Sequence, residues 1–306
     1  VVKWWLKKLS KNLTKDTSIQ TYIAFNMNHL KLFDTTCNEC SRLITKRYST
    51  SFSLGIRVFH KRFRMPIYGI YGFVRFADEI VDTFHGHDKR DLLMRFRNDT
   101  YKAIEEKISL NPVLHAFQSV VHAYNIEMDL IDAFLKSMEM DLDKNMYDAA
   151  GYDEYIYGSA EVVGLMCLRV FTEGNDAEYQ SLKEPARKLG AAFQKINFLR
   201  DLKSDFDERG RVYFPGVDFT NFDHTQKKII EDDIALDFNA ALVGIKKLPE
   251  GSRFGVYLAY KYYTQLFSKI KNAPAQRVAE VRIRVSDKRK MYLLFSSAIR
   301  HQFNAL

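Results

Sequence analysis

The chain has 306 residues, 46% of them hydrophobic and 14% aromatic, enough apolar mass for a sizeable core in one domain. Six prolines and 14 glycines are too few for many short strands and turns, and point to an all-α chain of long helices. The net charge is +8, half of it supplied by Lys3, Lys7, Lys8, Lys11 and Lys15 against Asp16; the remaining basic residues are scattered without stacking aromatics, which excludes a nucleic-acid surface and leaves an anionic small substrate or an acidic membrane surface.

Val1 to Leu13 is a short basic amphipathic segment. It is too short to cross a membrane and shows no secretory cleavage pattern. Two readings compete, a membrane-surface anchor and a segment upstream of a natural start at Met27. The second is preferred because organised sequence begins at His29. The chain therefore divides into residues 1–26, an N-terminal extension or upstream segment, and one domain over 27–306.

Asp34 is placed to cap a helix running to Tyr48. Cys37 and Cys40 on it form a C-x-x-C without a second pair. They read as ordinary helix cysteines of a reducing cytoplasm. Hydroxyls at Ser49, Thr50, Ser51 and Ser53 either hold a phosphate at a helix start or make a plain serine-rich junction, and the junction is the simpler reading.

Pro66 is read as opening the next helix, which His85-Gly86-His87 closes. On it Tyr71, Arg75, Asp78 and Asp82 share one face at helical spacing. Stacked carboxylates repel, so a cation must sit among them. Further helices are expected near 88–108, 112–125 and 128–141. Between Tyr152 and Phe171, Gly158, Ser159, Ala160 and Gly164 leave a helix face almost bare. Glycine there is unfavourable, so a second helix or an apolar ligand must approach closely.

A second acidic helix is expected from Pro185 to Asp205. Gln194, Asn197, Asp201 and Asp205 share a face, with Arg200 beside it. Facing each other, the two helices make a cleft of oxygen ligands, which favours Mg²⁺, with Mn²⁺ as a substitute, over zinc or copper. Asp233 and Asp237 repeat the D-x-x-x-D spacing but lack an arginine stripe and read as a solvated face. Helices near 225–247, 252–271 and 275–304 complete the chain. In the last, Arg277, Arg282, Arg284 and Lys288 form a solvated face, or Arg282 points into the cleft.

Arg75, Arg200, Arg211 and Arg282 suit forked binding of phosphate oxygens. The small-residue, aromatic-rich interior suits a hydrocarbon tail. The combination fits a substrate with a diphosphate head, whose departing charge is neutralised by metal and arginine. The resulting carbocation needs a dry, aromatic cavity, with Tyr71, Tyr155, Tyr213 and Tyr263 as candidate walls. A di-iron carboxylate bundle would need Glu-x-x-His on two helices, which the sequence lacks.

Five ordered blocks carry a resemblance: Y-S-T-S-F-S-L-G-I-R at 48–57, Y-G-F-V-R-F-A-D-E-I-V-D at 71–82, Y-I-Y-G-S-A-E-V-V-G at 155–164, Q-K-I-N-F-L-R-D-L-K-S-D at 194–205 and R-G-R-V-Y-F-P at 209–215. From about His29 to the C-terminus the chain resembles the squalene/phytoene synthase family, and within it the bacterial phytoene synthases. The resemblance implies the all-α isoprenoid synthase fold with a central active-site cavity. It implies that Asp78, Asp82, Asn197, Asp201 and Asp205 bind Mg²⁺ and, through it, diphosphate. Arg75, Arg200, Arg211 and Arg282 match diphosphate-contacting or nearby basic positions, while Ser49, Ser51 and Phe52 match the flap and cavity entrance. Tyr71, Tyr155, Gln194, Tyr213 and Tyr263 match cavity residues that steer the cation. Glu161 departs from the pattern, since a carboxylate is unexpected beside an apolar slot.

The implied reaction joins two prenyl diphosphates head to head through a cyclopropyl diphosphate. With two geranylgeranyl diphosphates and final proton loss it gives 15-cis-phytoene without NADPH, a step of carotenoid biosynthesis. The alternatives are a C30 squalene or dehydrosqualene synthase using farnesyl diphosphate, and a non-catalytic assembly factor. Four retained, mutually repelling carboxylates argue against the last. The expected location is the cytoplasm, peripheral on the inner membrane face, with a downstream desaturase as candidate partner.

Overall fold

The computed structural model describes residues 15–143, 146–217 and 221–286; at 15–28, 50, 51 and 209 it describes the backbone alone. Val1 to Leu13 therefore lies outside the described residues, as does Lys288. Helices run in the order α1 (Lys15–Tyr48), α2 (Thr50–Arg57), α3 (Lys61–Thr83), α4 (Lys89–Glu106), α5 (Pro112–Tyr124), α6 (Met128–Asp143) and α7 (Ala149–Ile156). A π-helical turn, Tyr157–Glu161, joins α7 to α8 (Val162–Phe171). Then follow α9 (Asp176–Arg209), α10 (His224–Ile245), α11 (Glu250–Lys271) and α12 (Ala275–Glu280). Among the described residues there is no strand, only an isolated bridge between Met146 and Val212. The fold is all-α, as the composition implies, and none of the described helices is long and apolar enough to cross a membrane.

Two apolar clusters carry the packing. In the first, α3 buries Phe63, Ile67, Ile70, Phe73, Ala77, Ile80 and Val81, an i, i+3, i+4 stripe facing α5, α6 and α8. Phe73 stacks on Phe117 at 3.9 Å between ring centroids. In the second, Ile196, Phe198 and Leu199 of α9 meet Ile234 and Phe238 of α10 and Leu266 and Ile270 of α11. On both α3 and α9 the polar stripe lies on a different face from the apolar one.

Several expected boundaries move. Asp34 lies inside α1 and accepts from His115 Nε2 at 2.8 Å, tying α1 to α5 instead of capping a helix. Pro66 lies within α3, which begins five residues earlier behind the His60 cap. Burial of Phe63 carries the helix back past the proline and outweighs one lost backbone bond. Pro185 likewise sits inside α9, which starts behind Asn175, whose side chain accepts from the Glu178 N–H, and buries Tyr179 and Leu182 before reaching it. The helix expected over 275–304 stops at Glu280, and its part beyond 286 lies outside the described residues. Val281 is extended, and over 282–285 exposed Arg282 and Arg284 alternate with half-buried Ile283 and buried Val285, a period-two pattern that a helix cannot place.

Asp233 is exposed, as a solvated face implies, but Asp237 is not. Asp237 is buried and takes Lys195 Nζ at 2.7 Å and Lys188 Nζ at 3.1 Å, while Asp233 takes Lys195 at 2.5 Å. Lysines on the neighbouring α9 supply the counter-charges, and sequence spacing along α10 cannot reveal them. The C-x-x-C thiols are free, and burial pushes Cys37 up to about 11.

The bare face near Gly158 is packed by a helix. A Cβ on Gly158 would lie 2.4 Å from the Ala133 carbonyl oxygen of α6, and one on Gly190 would lie 2.7 Å from that of Ala160. Gly158→Ala should therefore cost about 1–3 kcal/mol of stability through overpacking, read as a lower melting temperature with helix content retained. An unchanged melting temperature would show that α6 and the π turn separate freely.

Candidate active site

Between the two clusters lies a cavity of about 840 Å³. Its lining holds Ser49, Phe52, Tyr71, Arg75, Asp78, Asp82, Tyr155, Gln194, Asn197, Arg200, Asp201, Asp205, Arg211, Tyr213, Tyr263 and Arg282. The tertiary structure thus gathers residues from α2, α3, α7, α9, α11, the turn after α9 and the extended tail after α12. The Ser51 side chain lies outside those described. Other stretches of the wall are apolar, with Phe59, Phe171, Leu182, Ile245 and Leu248.

On α3 the cation required among the carboxylates is Arg75, which pairs with Asp78 at 2.5 Å and also with Glu79. Burial opposes its charge, but Asp78 and Glu79 outweigh that and raise its pKa. Its guanidinium also lies 4.5 Å over the Tyr48 ring, a cation–π contact. At the entrance Ser49 caps α2 by accepting from the Phe52 N–H at 3.2 Å. Exposed Phe52 stacks on Tyr71 with centroids 4.8 Å apart.

On α9 Asp201 accepts from Arg200 Nε at 3.0 Å and pairs with Arg282 Nε at 2.8 Å. Arg282 therefore points into the cavity from the extended tail. The polar chain along α9 is continuous. Gln194 donates to Ser159 Oγ at 3.4 Å, Asn197 to Gln194 Oε1 at 3.5 Å, and the Tyr263 hydroxyl to Asn197 Oδ1 at 3.2 Å. Tyr263 stacks on Phe193 at 3.9 Å. Of the crowded tyrosines on α11, Tyr262 and Tyr263 line the cavity.

Arg211 comes from the turn after α9, where Gly210 takes a left-handed φ of 63°. The bridge between Val212 and Met146 holds this turn. The buried guanidinium spans three groups: Asp82 Oδ1 at 3.2 Å, the Tyr213 hydroxyl at 3.3 Å and the Asp141 main-chain oxygen at 2.8 Å. Burial opposes its charge, and Asp141, Tyr213 and Asp82 together raise its pKa. Tyr213 stacks on Phe198 at 4.0 Å and lies 5.2 Å from the Tyr155 ring.

Asp141 is a site residue that sequence reading missed. It lines the cavity from the end of α6, accepts from the Tyr155 hydroxyl at 2.9 Å and lies 3.4 Å from Arg211 Nη1. Burial raises its pKa to about 7 against the pull of Arg211. Met138 and Met140 are buried and Met-Glu-Met-Asp-Leu reads as plain amphipathic helix, so no spacing signal marks it. Glu161, the departure noted above, turns away from the cavity to meet Arg187 Nε at 2.6 Å, so the small-residue wall stays apolar.

The family model for squalene/phytoene synthase matches residues 45–289. Among relatives, a phytoene synthase of Arthrospira platensis is 27% identical over 238 residues, covering 74% of this chain and 73% of its own. A 4,4'-diapophytoene synthase of Staphylococcus haemolyticus is 25% identical over 253 residues, covering 75% of this chain and 86% of its own. The fold is that of a crystallised dehydrosqualene synthase, with a TM-score of 0.73 at 23% identity over 88% of this chain and 98% of that one. It is also that of squalene synthase HpnC from Alicyclobacillus acidocaldarius, with a TM-score of 0.69 at 18% identity over 81% and 96%. With all five sequence blocks inside the matched span, the chain belongs to the squalene/phytoene synthase family.

Proposed function

We propose that the protein joins two geranylgeranyl diphosphates head to head, through a cyclopropyl diphosphate, to give 15-cis-phytoene by final proton loss. The observation that carries this reading is one cavity with two arginine-laced carboxylate stripes and an apolar wall. The C40 assignment draws on the likeness to phytoene synthases. A C30 reaction on farnesyl diphosphate is the second reading, supported by the likeness to the 4,4'-diapophytoene synthase.

The donor set fits Mg²⁺. Asp78, Asp82, Asp201, Asp205 and the Asn197 amide are hard oxygen donors around one cavity, and among the described residues no histidine lies in its lining. Among the described residues no three acidic, histidine or cysteine groups already converge as a cage. Mg²⁺ commonly uses one or two carboxylates with substrate phosphates and water, so this donor set suits an ion that arrives with diphosphate. When bound, Mg²⁺ would neutralise charge on the leaving diphosphate.

The chain's own residues do the rest. Arg75, Arg200, Arg211 and Arg282 take phosphate oxygens in forked geometry. Gln194, Asn197 and Tyr263 hold one another in register along α9. Phe198, Tyr213, Tyr155 and Tyr71 offer aromatic faces to the carbocation. The buried wall excludes water that would quench it. An apolar product also favours loose contact with a membrane, and Ser41 to Ala77 contains no acidic residue while carrying exposed Lys46, Arg47, Arg57 and Lys61.

Purified protein with Mg²⁺ should convert geranylgeranyl diphosphate to a C40 triene, unaffected by NADPH. A C30 product from farnesyl diphosphate would shift the reading to the second substrate, and no product from either would overturn both. Asp78→Asn and Asp201→Asn should each lower kcat at least about a hundredfold with the circular dichroism spectrum unchanged. Rates like the wild type's would remove the cation-ligand role. The protein should also sediment with vesicles rich in anionic lipid, and recovery wholly in the supernatant would count against the membrane contact.

A further inference from the structure

The four cavity arginines fall into two classes. Arg200 and Arg282 both pair with Asp201, and neither has a second acidic partner among the described residues. Arg75 and Arg211 each have two. Arg75 takes Asp78 and Glu79, and Arg211 takes Asp82 and Asp141. In both pairs one carboxylate belongs to the proposed cation-ligand set and the other does not. Glu79 lies beyond the cavity lining with its side chain 15% exposed, and Asp141 is held by the Tyr155 hydroxyl.

This division matters when a cation and diphosphate arrive. A carboxylate that turns to a cation gives up its guanidinium, and that guanidinium must then meet phosphate. An arginine with one partner is left to swing on a flexible stem. An arginine with a second partner stays aimed, which avoids ordering it during binding. Arg211 has the greater need, because it projects from a turn and not from a helix. Asp141 holds it twice, through the main-chain oxygen at 2.8 Å and the carboxylate at 3.4 Å.

We propose that Glu79 and Asp141 are positioning residues, anchor carboxylates that keep Arg75 and Arg211 aimed at the diphosphate after Asp78 and Asp82 are drawn to the cation. The inference rests on the reading of Asp78 and Asp82 as cation ligands. It assigns a division of labour among the acids. Asp78 and Asp82 exchange partners, whereas Glu79 and Asp141 do not.

The test is binding of inorganic pyrophosphate by calorimetry, for the wild type, Glu79→Gln and Asp141→Asn, in saturating Mg²⁺ and in EDTA. With Mg²⁺ each variant should bind about tenfold more weakly than the wild type. In EDTA, where Asp78 and Asp82 still hold the arginines, variants and wild type should bind alike. Equal weakening in both conditions would indicate general structural damage and overturn the proposal. So would unchanged or tighter binding with Mg²⁺, the result expected if removing a negative charge merely lessened repulsion. If Asp141→Asn does not fold, Glu79→Gln decides, since its side chain lies outside the lining. A wild type that binds no pyrophosphate with Mg²⁺ would overturn the cation-ligand reading itself, and the anchors would fall with it.

Discussion

Charge balance in a half-buried cavity governs this structure. Two helices each present carboxylates to the same space, and like charges in a low-dielectric site repel strongly unless matched. The matching cations come from four places: α3 itself for Arg75, α9 for Arg200, the turn after α9 for Arg211 and the tail after α12 for Arg282. These elements lie far apart in sequence, and Arg211 and Arg282 both lie outside the helices.

The apolar packing makes that cavity available. α3 and α9 each bury one stripe in a different cluster and turn another to the space between. Closing the clusters on each other would bury these charges further, and desolvating an ion costs several kcal/mol even when it is paired. Gly190 lets the backbone of α9 meet the π turn at Ala160, and Gly158 lets the same turn close on α6. Fold and site thus share one constraint. The helices pack tightly at Gly158 and Gly190 and leave a cavity where α3 and α9 carry their acidic stripes.

Other buried ion pairs follow the same rule away from the cavity. Asp233 and Asp237 meet Lys195 and Lys188 between α9 and α10, and Lys227 meets Glu231 one turn along the buried side of α10. Asp237 and Glu231 are carboxylates whose burial is tolerated because a lysine lies beside each, while Asp233 stays exposed. They differ from the cavity acids in lying outside its lining, where neither substrate nor cation would reach them.

Helical spacing alone determined that Tyr71, Arg75, Asp78 and Asp82 share a face, as do Gln194, Asn197, Asp201 and Asp205, because 3.6 residues per turn is a local property. Composition determined the all-α class for the same reason. The prolines misled, since Pro66 and Pro185 mark helix starts only when nothing upstream has an apolar face to bury, and Phe63 and Tyr179 do. The sequence could not reveal Asp141, the inward turn of Arg282 or the pairing of Glu161 with Arg187. Each depends on a partner 26 or more positions away, and a side chain's direction at that range is decided by which helices pack together. The tertiary structure therefore decided which charges meet, and with that which acids are held and which can exchange their partners.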